Sequence, residues 1–401
     1  LGRPLIDIPR IQERHDRLDA FMVDHRLREE TQGKLDRIGD LERLSNQVLR
    51  KSIGVIGVRH LAGALDAVDE IVNGLGSDAP PLSKLRERLN PCKEARQLIE
   101  RAITDRGERL IKTEYSQELD RVTSEASIAR EGIANLERTE RDATGIKTLK
   151  VGYNRVFGYY FEVGRVHGDA MPDRFQRRQT LANTERYVTP ELKDYESHIL
   201  GAEERIADLE HALFQEVVTS LCGDAQQMLQ TARALASLDV AASLAEVSDR
   251  HGYIRPEIHP GAELHIEAGR HPVVELRQSE AFVPNDVRLD LDHQQIAILT
   301  GPNMAGKSTY LRQVALITLL AQIGCFVPAK SASIGLVDRI FTRVGARDDL
   351  TAGASTFMVA SLYFESAHRV NALRGKPHMS KHWNPKINQG LNMCFNVFAT
   401  L

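Results

Sequence analysis

The sequence of 401 residues has few cysteines, few aromatic residues and little net charge. Its four cysteines lie far apart without a CxxC pair, which excludes a disulfide framework or a cysteine-based zinc site as the organising feature. The formal net charge is −3, so no overall basicity indicates nucleic-acid binding, and any such signal must be local. The longest apolar stretch, from Val314 to Val327, contains Gln322 and is too short to span a bilayer.

The chain is long enough for two or three domains, each with its own core. It begins with Leu1 instead of an initiator methionine, and no signal peptide is visible. We therefore expect further residues before Leu1 in the parent protein. Together with the scattered cysteines, these features predict a soluble protein of a reducing compartment, the cytoplasm.

A glycine-containing phosphate-binding motif, GxxxxGKS, occupies residues 301–308. An apolar run precedes it and an apolar, helix-like stretch follows it. A strand that ends in a tight turn before a helix leaves several backbone N–H groups pointing into one concavity, and the helix dipole there favours a polyphosphate. Lys307 is expected to reach the β- and γ-phosphates, and the Ser308 hydroxyl to ligate Mg²⁺. An ordinary glycine turn with an exposed lysine is the alternative. The motif residues assigned to the nucleotide are Gly301, Pro302, Asn303, Met304, Ala305, Gly306, Lys307, Ser308 and Thr309.

Two long helical patterns, residues 92–141 and 191–247, enclose a segment of different character. Apolar residues in both patterns recur every three or four positions, which places them on one helix face. Gly107 and Gly132 are expected to interrupt the first pattern. A chain that goes out along one helix and returns along another forms an arm, and the enclosed segment forms its tip.

The tip segment, residues 147–190, is predicted to contain a β-hairpin. Apolar residues alternate with period two on both sides of Asn154 and Arg155. Nine basic and six acidic residues lie between Lys147 and Asp194, so this segment is positive in a chain that is negative overall. Lysine and arginine at a remote tip suit sequence-independent contacts with DNA phosphates. An ordinary solvated hairpin is the alternative, and for its aromatic residues we favour a role in a small core.

Seven stretches, taken in order along the chain, resemble the MutS family of DNA mismatch repair ATPases. They are LKVGYNRVFGYYFEV (149–163), RQTLANTERYVTPEL (178–192), GAEER (201–205), GRHPVVE (269–275), TGPNMAGKST (300–309), IFTRVGA (340–346) and STFMV (355–359). The resemblance covers about residues 1–359 and is closest to the bacterial mismatch-repair branch.

The resemblance implies a mixed fold, in which a long α-helical core and lever carry an inserted β-rich clamp. An α/β P-loop ATPase domain of the ABC type follows, here truncated. The implied divisions are a helical core and outgoing lever (1–146), a DNA-clamp insertion (147–190), a returning lever helix (191–251), the N-terminal half of the ATPase domain (252–360) and an unmatched tail (361–401).

The resemblance also implies site residues for ATP and Mg²⁺. Asn303 would contact phosphate or metal. Phe282 resembles the residue that stacks on adenine, with a buried core phenylalanine as the alternative. Ser355 resembles the serine that reaches the γ-phosphate across a dimer, with a helix N-cap as the alternative. His271 fits a structural histidine in a His-Pro turn better than a catalytic base.

The implied partners are double-stranded DNA, mismatched in the case of the full-length protein, a second copy of the chain, and downstream repair factors. No membrane partner is implied, and the implied location is the bacterial cytoplasm, in association with the nucleoid. The residues expected to contact DNA phosphates are Lys150, Asn154, Arg155, Arg177 and Arg178.

The sequence departs from the family pattern in two places. The mismatch-reading domains, with their Phe-x-Glu wedge, would precede Leu1, so this chain alone is not expected to discriminate mismatches. From Thr351 to Leu401 the only acidic residue is Glu365, whereas the family pattern there includes an Asp-Glu pair that holds the metal and polarises water. We therefore expect weak nucleotide binding and little hydrolysis.

Two alternative functions remain. One is a non-catalytic DNA-clamping or dimerisation module, and the other is a different arm-bearing ATPase of the ABC type. Arm-bearing ATPases of that other class place the phosphate loop before the arm, whereas here it follows the arm.

Overall fold

A computed structural model describes residues 4–76, 80–105, 109–302, 305–340 and 397–399. The chain is a mixed helical and sheet protein. It divides into a first unit (Leu1–Asp36, Glu70–Leu89 and Arg233–Leu401) and a second unit (Arg37–Asp69 and Asn90–Ala232). Among the helices of the described ranges, none combines the length and the apolar character needed to cross a membrane.

The described helices are α1 (Ile8–Val23), α2 (His25–Leu35), α3 (Leu41–Leu49), α4 (Val55–Gly74), α5 (Pro80–Arg86), α6 (Lys93–Ala102), α7 (Gln117–Thr144), α8 (Pro190–Leu221), α9 (Ala225–His251), α10 (Val274–Arg277) and α11 (Lys307–Ile323), with a 3₁₀ helix at Arg165–Ala170. The described strands are β1 (Lys150–Asn154), β2 (Gly158–Gly164), β3 (Gln176–Thr180), β4 (Thr184–Val188), β5 (Glu257–His259), β6 (Leu264–Gly269), β7 (Asn285–Leu289), β8 (Ala297–Leu299), β9 (Ser331–Gly335) and β10 (Val397–Ala399).

Two long antiparallel helices, α7 and α8, dominate the second unit. The Ser116 hydroxyl caps α7 by accepting a hydrogen bond from the Leu119 N–H, and Thr189 caps α8 in the same way. Arg130 of α7 forms an ion pair with Glu203 of α8 at 2.5 Å. The chain runs along α7 into a β-sheet and returns from that sheet along α8, which agrees with the predicted arm.

The boundaries of these helices differ from the sequence expectation in two places. Gly132 does not interrupt α7, which runs from Gln117 to Thr144. A side chain at this position would collide with Tyr195 of α8, since a Cβ atom would lie 2.4 Å from a ring carbon. Glycine is thus required for close helix packing, and the helix continues through it. The pattern over residues 191–247 is not one helix, since α8 ends at Leu221 and α9 starts at Ala225. Gly107 lies outside the described residues.

The sheet between α7 and α8 has the order β1-β2-β4-β3 and is antiparallel throughout. The predicted hairpin is confirmed, with Lys150 opposite Glu162 and Asn154 opposite Gly158. Its turn comes one residue later than expected and ends at Gly158, whose φ of +74° favours glycine. Strands β3 and β4 were not predicted. One hydrophobic cluster of buried residues in this region comprises Ala129, Ile133, Ile146, Leu149, Phe161, Val163, Phe175, Tyr187, Leu192 and Ile199.

The first unit contains a mixed sheet of order β5-β9-β6-β7. Strands β5 and β9 are parallel, whereas β6 is antiparallel to both of its neighbours. Helices α1 and α11 contribute to its core through Ile11, Val314 and Ile317, which are all buried. The α/β character predicted for this part of the chain is therefore present.

The strand before the phosphate-binding motif is shorter and more exposed than the sequence suggested. Only Ala297–Leu299 form β8, and Ile298 is 69% exposed. This strand pairs in parallel with β10, which lies in the tail that the resemblance leaves unmatched. Of the expected tail, residues 361–401, the structure describes only these three residues.

Candidate functional site

The phosphate-binding motif forms a turn between β8 and α11. Gly306 immediately precedes α11 with a φ of +85°, a left-handed conformation that favours glycine. A Cβ atom on Gly306 would meet no described atom within 4 Å, so the requirement for glycine is conformational. Asn303 and Met304, the centre of the motif, lie outside the described residues.

The described part of this turn has a positive electrostatic character. Lys307 donates hydrogen bonds from Nζ to the carbonyl oxygens of Gly301 at 2.5 Å and Pro302 at 2.9 Å, so its ammonium group lies over the turn. The first N–H groups of α11 have no acceptor within the helix, and no acidic residue lies in its first turn. Ser308 is exposed and Thr309 half-buried in that same turn. These groups fit a polyphosphate with a bound cation.

Of the other two residues predicted to contact the nucleotide, only Phe282 is described. It is half-buried and absent from the buried core, so the alternative of a core phenylalanine does not apply. The strand that follows it, β7, is tied to the helix after the motif by a hydrogen bond of 3.0 Å from the Tyr310 hydroxyl to the Asp286 carbonyl oxygen. Ser355 lies outside the described residues.

His271 has a structural role, as its His-Pro context indicated. Its ring is buried, and Nδ1 accepts hydrogen bonds from the N–H groups of Val273 and Val274, both at 3.2 Å. Burial lowers its pKa, and the nearby positive charge of Arg312 lowers it further. A buried ring whose Nδ1 already accepts two backbone hydrogen bonds is not placed to act as a base.

The five residues predicted to contact DNA fall into two groups. Lys150 forms an ion pair with Glu162 at 3.2 Å, and Arg177 forms one with Glu185 at 3.3 Å. Asn154 accepts a hydrogen bond from the Val156 N–H within the hairpin turn. By contrast, Arg155 and Arg178 are exposed, and no described residue forms a hydrogen bond or ion pair with either side chain.

Carboxylates from the flanking helices reduce the positive charge expected of this sheet. Glu140 of α7 binds Arg174 at 2.5 Å, and Glu196 of α8 binds Lys193 at 2.6 Å. Both carboxylates are nearly buried and lie outside the segment over which charge was counted. The excess of cations is therefore smaller than the local sequence indicates, whereas Arg178 forms no ion pair with any residue that the structure describes.

The aromatic residues of this sheet mostly form its core, as favoured from sequence. Phe161, Phe175 and Tyr187 are buried and meet edge to face, with ring centroids 5.3 and 6.3 Å apart. Tyr153 and Phe157 do not follow this prediction, since they are 54% and 45% exposed.

Gln322 has a structural role that was not predicted, although it is the lone amide within an apolar stretch. Its side chain is 2% exposed and donates from Nε2 to the carbonyl oxygens of Leu5 and Val337, while Oε1 accepts from the Val337 N–H. One buried amide therefore joins three segments of the first unit that are distant in sequence. This arrangement holds the far end of the helix that follows the phosphate-binding motif.

Comparison with known proteins relates both regions to one family. A family model described as MutS family domain IV matches residues 114–205, which include α7 and the sheet β1–β4. A second, described as MutS domain V, matches residues 297–370, which include the phosphate-binding motif. The second match continues ten residues beyond Ala360, where the resemblance noted from sequence ended.

Several curated relatives carry the name DNA mismatch repair protein MutS. The chain is 47% identical to that of Acetivibrio thermocellus over 369 residues, which cover 90% of this chain and 42% of the relative. It is 45% identical to that of Desulforamulus reducens over 367 residues, with the same coverage of both chains. It is 46% identical to that of Salinibacter ruber over 370 residues, which cover 90% of this chain and 40% of the relative. The chain thus spans about two fifths of the length of these relatives.

Proposed function

Because this chain belongs to the MutS family, we propose that it takes part in DNA mismatch repair as an ATP-binding protein that contacts the backbone of duplex DNA. The observation that carries the ATP assignment is the position of GxxxxGKS at a strand-to-helix turn, with Lys307 folded over that turn. A motif at such a turn is more specific than the motif alone.

In this proposal the residues of the turn bind and orient the triphosphate. The N–H groups at the start of α11 and the Lys307 ammonium group attract the phosphates, and Lys307 exchanges its carbonyl partners for phosphate oxygens. Ser308 contributes a hydroxyl ligand for Mg²⁺, which supplies charge neutralisation between the phosphates when bound. Phe282 stacks on the adenine, Asn303 contacts phosphate or metal, and Ser355 reaches the γ-phosphate across the dimer.

The second unit contacts DNA through the surface of the sheet β1–β4 and its hairpin turn, where neither Arg155 nor Arg178 forms an ion pair with any described residue. Phosphate contacts of this kind hold a duplex without reading its sequence. We further propose that the protein acts as a homodimer with downstream repair factors, at the bacterial nucleoid. In the whole protein, ATP would convert mismatch binding into a sliding clamp on DNA.

A second proposal concerns hydrolysis, which we expect to be poor in this chain. Between Thr351 and Leu401 the only acidic side chain is Glu365, so this stretch has no adjacent acidic pair to hold the metal and polarise the attacking water. A non-catalytic DNA-clamping and dimerisation module is therefore the alternative description of this chain.

Nucleotide binding by purified protein tests the ATP assignment. We expect Lys307→Ala to weaken binding of a fluorescent ATP analogue by about 10- to 100-fold, the loss of one or two charge-assisted hydrogen bonds. Lys330→Ala is the matched control, since Lys330 is an exposed lysine of the same unit that pairs with Glu267. Equal binding by the Lys307→Ala variant and wild type would refute the assignment. ATP turnover that is abolished by Lys307→Ala would contradict the proposal of poor hydrolysis.

A further inference from the structure

A small pocket opens beside the hairpin turn of the second unit, with a volume of about 240 Å³. Three cations, Arg178, Arg186 and Lys193, contribute to its lining. The apolar part of its lining includes Val156, Phe157 and Tyr160. Of these six residues, only Arg178 was predicted from sequence to contact DNA, and nothing in the sequence indicated that a pocket would form.

A β-bulge separates Arg178 from its neighbour Arg177. In the pairing of β3 with β4, Arg177 lies opposite Tyr187 and Gln179 lies opposite Arg186, so Arg178 is the extra residue. Bulges redirect a side chain in this way. Arg177 pairs with the buried carboxylate of Glu185, whereas Arg178 lines the pocket. Two adjacent arginines thus have different environments.

Two of the three cations are already held by carboxylates. The Arg186 guanidinium lies 4.3 Å from the centroid of the Tyr160 ring, and its Nε is 3.3 Å from a Glu162 oxygen. Lys193 is 2.6 Å from Glu196. These contacts fix two of the cations that line the pocket. Arg178 has no hydrogen bond or ion pair with any described residue, so it supplies the uncompensated positive charge.

The size and chemistry of the pocket define its occupant. Sites for whole small molecules usually enclose about 300–1,000 Å³, so this pocket suits one group of a larger molecule. Its charge selects an anion. Val156 and Phe157, which are 80% and 45% exposed, offer apolar contact to carbon atoms next to that anion. A phosphate linked to sugars on both sides has this combination of charge and apolar neighbours.

We propose that this pocket seats one phosphodiester group of a nucleic-acid backbone, with Arg178 as the principal contact. The proposal rests on the proposed function and refines it. The backbone contact is centred on Arg178, in a pocket that Arg186 and Lys193 also line. Arg177 and Lys150 are not part of that lining, and each is paired with a carboxylate.

The two adjacent arginines provide a matched experiment. We compare Arg178→Gln with Arg177→Gln in the 401-residue protein, after circular dichroism has shown that both are folded. Duplex DNA affinity is measured by fluorescence anisotropy at several KCl concentrations. Arg178→Gln is expected to weaken binding about tenfold and to reduce the slope of log K against log[salt] by about 0.9, the loss of one phosphate contact. Arg177→Gln is expected to leave both quantities near wild type.

A second measurement separates the pocket from the proposed function. Dimethyl phosphate at matched ionic strength should shift the side-chain NMR signals of Arg178 and Tyr160 in the wild type, and should not shift the Tyr160 signal in Arg178→Gln. If wild type binds DNA but the two variants behave alike, the pocket proposal falls and the proposed function stands. If wild type fails to bind DNA while dimethyl phosphate shifts these signals, the proposed function falls and the phosphodiester pocket stands. Tighter binding of a phosphoserine peptide than of dimethyl phosphate would overturn the assignment to a diester.

Discussion

His15 shows how a single buried side chain can set the response of this chain to pH. It lies on α1, is 1% exposed, and packs edge-on against Phe326 with ring centroids 5.8 Å apart. Burial lowers its pKa to about 4, and the positive charge of Arg255 acts in the same direction. No partner in the described part of the chain bonds its Nε2. The ring is therefore neutral at pH 7, and a protonated ring would be a buried charge.

We predict that the first unit loses stability as the pH falls below about 6.5. The pKa of His15 is lower in the folded chain than in the unfolded chain, so the unfolded chain takes up the proton first. Stability from this group is fully present above pH 6.5 and is lost as the pH approaches 4. Between pH 7 and pH 5 the free energy of unfolding should fall by about 2 kcal/mol from this residue.

Urea unfolding at pH 7 and pH 5 measures this effect. In His15→Gln the difference between the two pH values should shrink by about 2 kcal/mol. His25→Gln is the control, because His25 also lies in the first unit but is exposed. An unchanged pH dependence in His15→Gln would show that other groups are responsible.

The contact between α7 and α8 depends on glycine at one position and not at another. Gly132 faces the Tyr195 ring, and a Cβ atom there would lie within 3.1 Å of three ring atoms. Gly201, in the middle of α8, has nothing within 4 Å of the corresponding position. Both glycines carry the same helix-propensity cost of about 1 kcal/mol relative to alanine. Alanine substitutions at the two sites therefore separate the effect of helix packing on stability from the effect of helix propensity.

We predict opposite effects of alanine at these two sites. Gly132→Ala should lower the free energy of unfolding by about 1–3 kcal/mol, because the rigid ring has to move. Gly201→Ala should raise it by up to about 1 kcal/mol. Thermal unfolding of both variants tests this, and adding Tyr195→Ala should remove most of the penalty at Gly132. A stabilising Gly132→Ala would mean that the helices do not pack as described.

In the second unit, the local sequence predicted individual strands and helices better than the contacts between elements that are distant in sequence. The period-two pattern located β1 and β2, because their apolar residues face one core. Strand β3 was not predicted, because most of its residues are exposed and polar. A bulge at Arg178 also breaks the alternation of side chains between the two faces of the strand. The ion pairs from Glu140 and Glu196 depend on helices that are distant in sequence from their partners. A count of charges along the chain cannot include them.

At the candidate nucleotide site of the first unit, too, the local sequence predicted the turn but not a contact between distant segments. The motif itself specified the turn at Gly306, because a left-handed residue before a helix requires glycine. The contact that holds the end of α11, through Gln322, joins residues 5, 322 and 337. No pattern within one helix predicts such a contact, because it depends on how distant segments meet in the folded unit.

ATP is proposed to bind the first unit of the chain and DNA the second. Any effect of one ligand on the other is a coupling free energy, and it has to be reciprocal. If Mg²⁺-ATP changes the affinity for DNA by some factor, DNA must change the affinity for Mg²⁺-ATP by that same factor. The slow hydrolysis proposed for this chain would suit such a measurement, since both ligands could reach equilibrium before ATP is consumed.

We predict that saturating Mg²⁺-ATP changes the DNA affinity of this chain by about 5- to 150-fold, the usual range for coupled sites. Fluorescence anisotropy of labelled duplex with and without ATP gives one factor, and titration of the ATP analogue with and without duplex gives the other. Lys307→Ala should abolish the effect of ATP on DNA without altering DNA affinity in the absence of ATP. Arg178→Gln should weaken DNA binding in both states and leave ATP affinity in the absence of DNA unchanged. If DNA affinity is identical with and without ATP while both ligands bind, the coupling that a DNA clamp requires is absent from this chain.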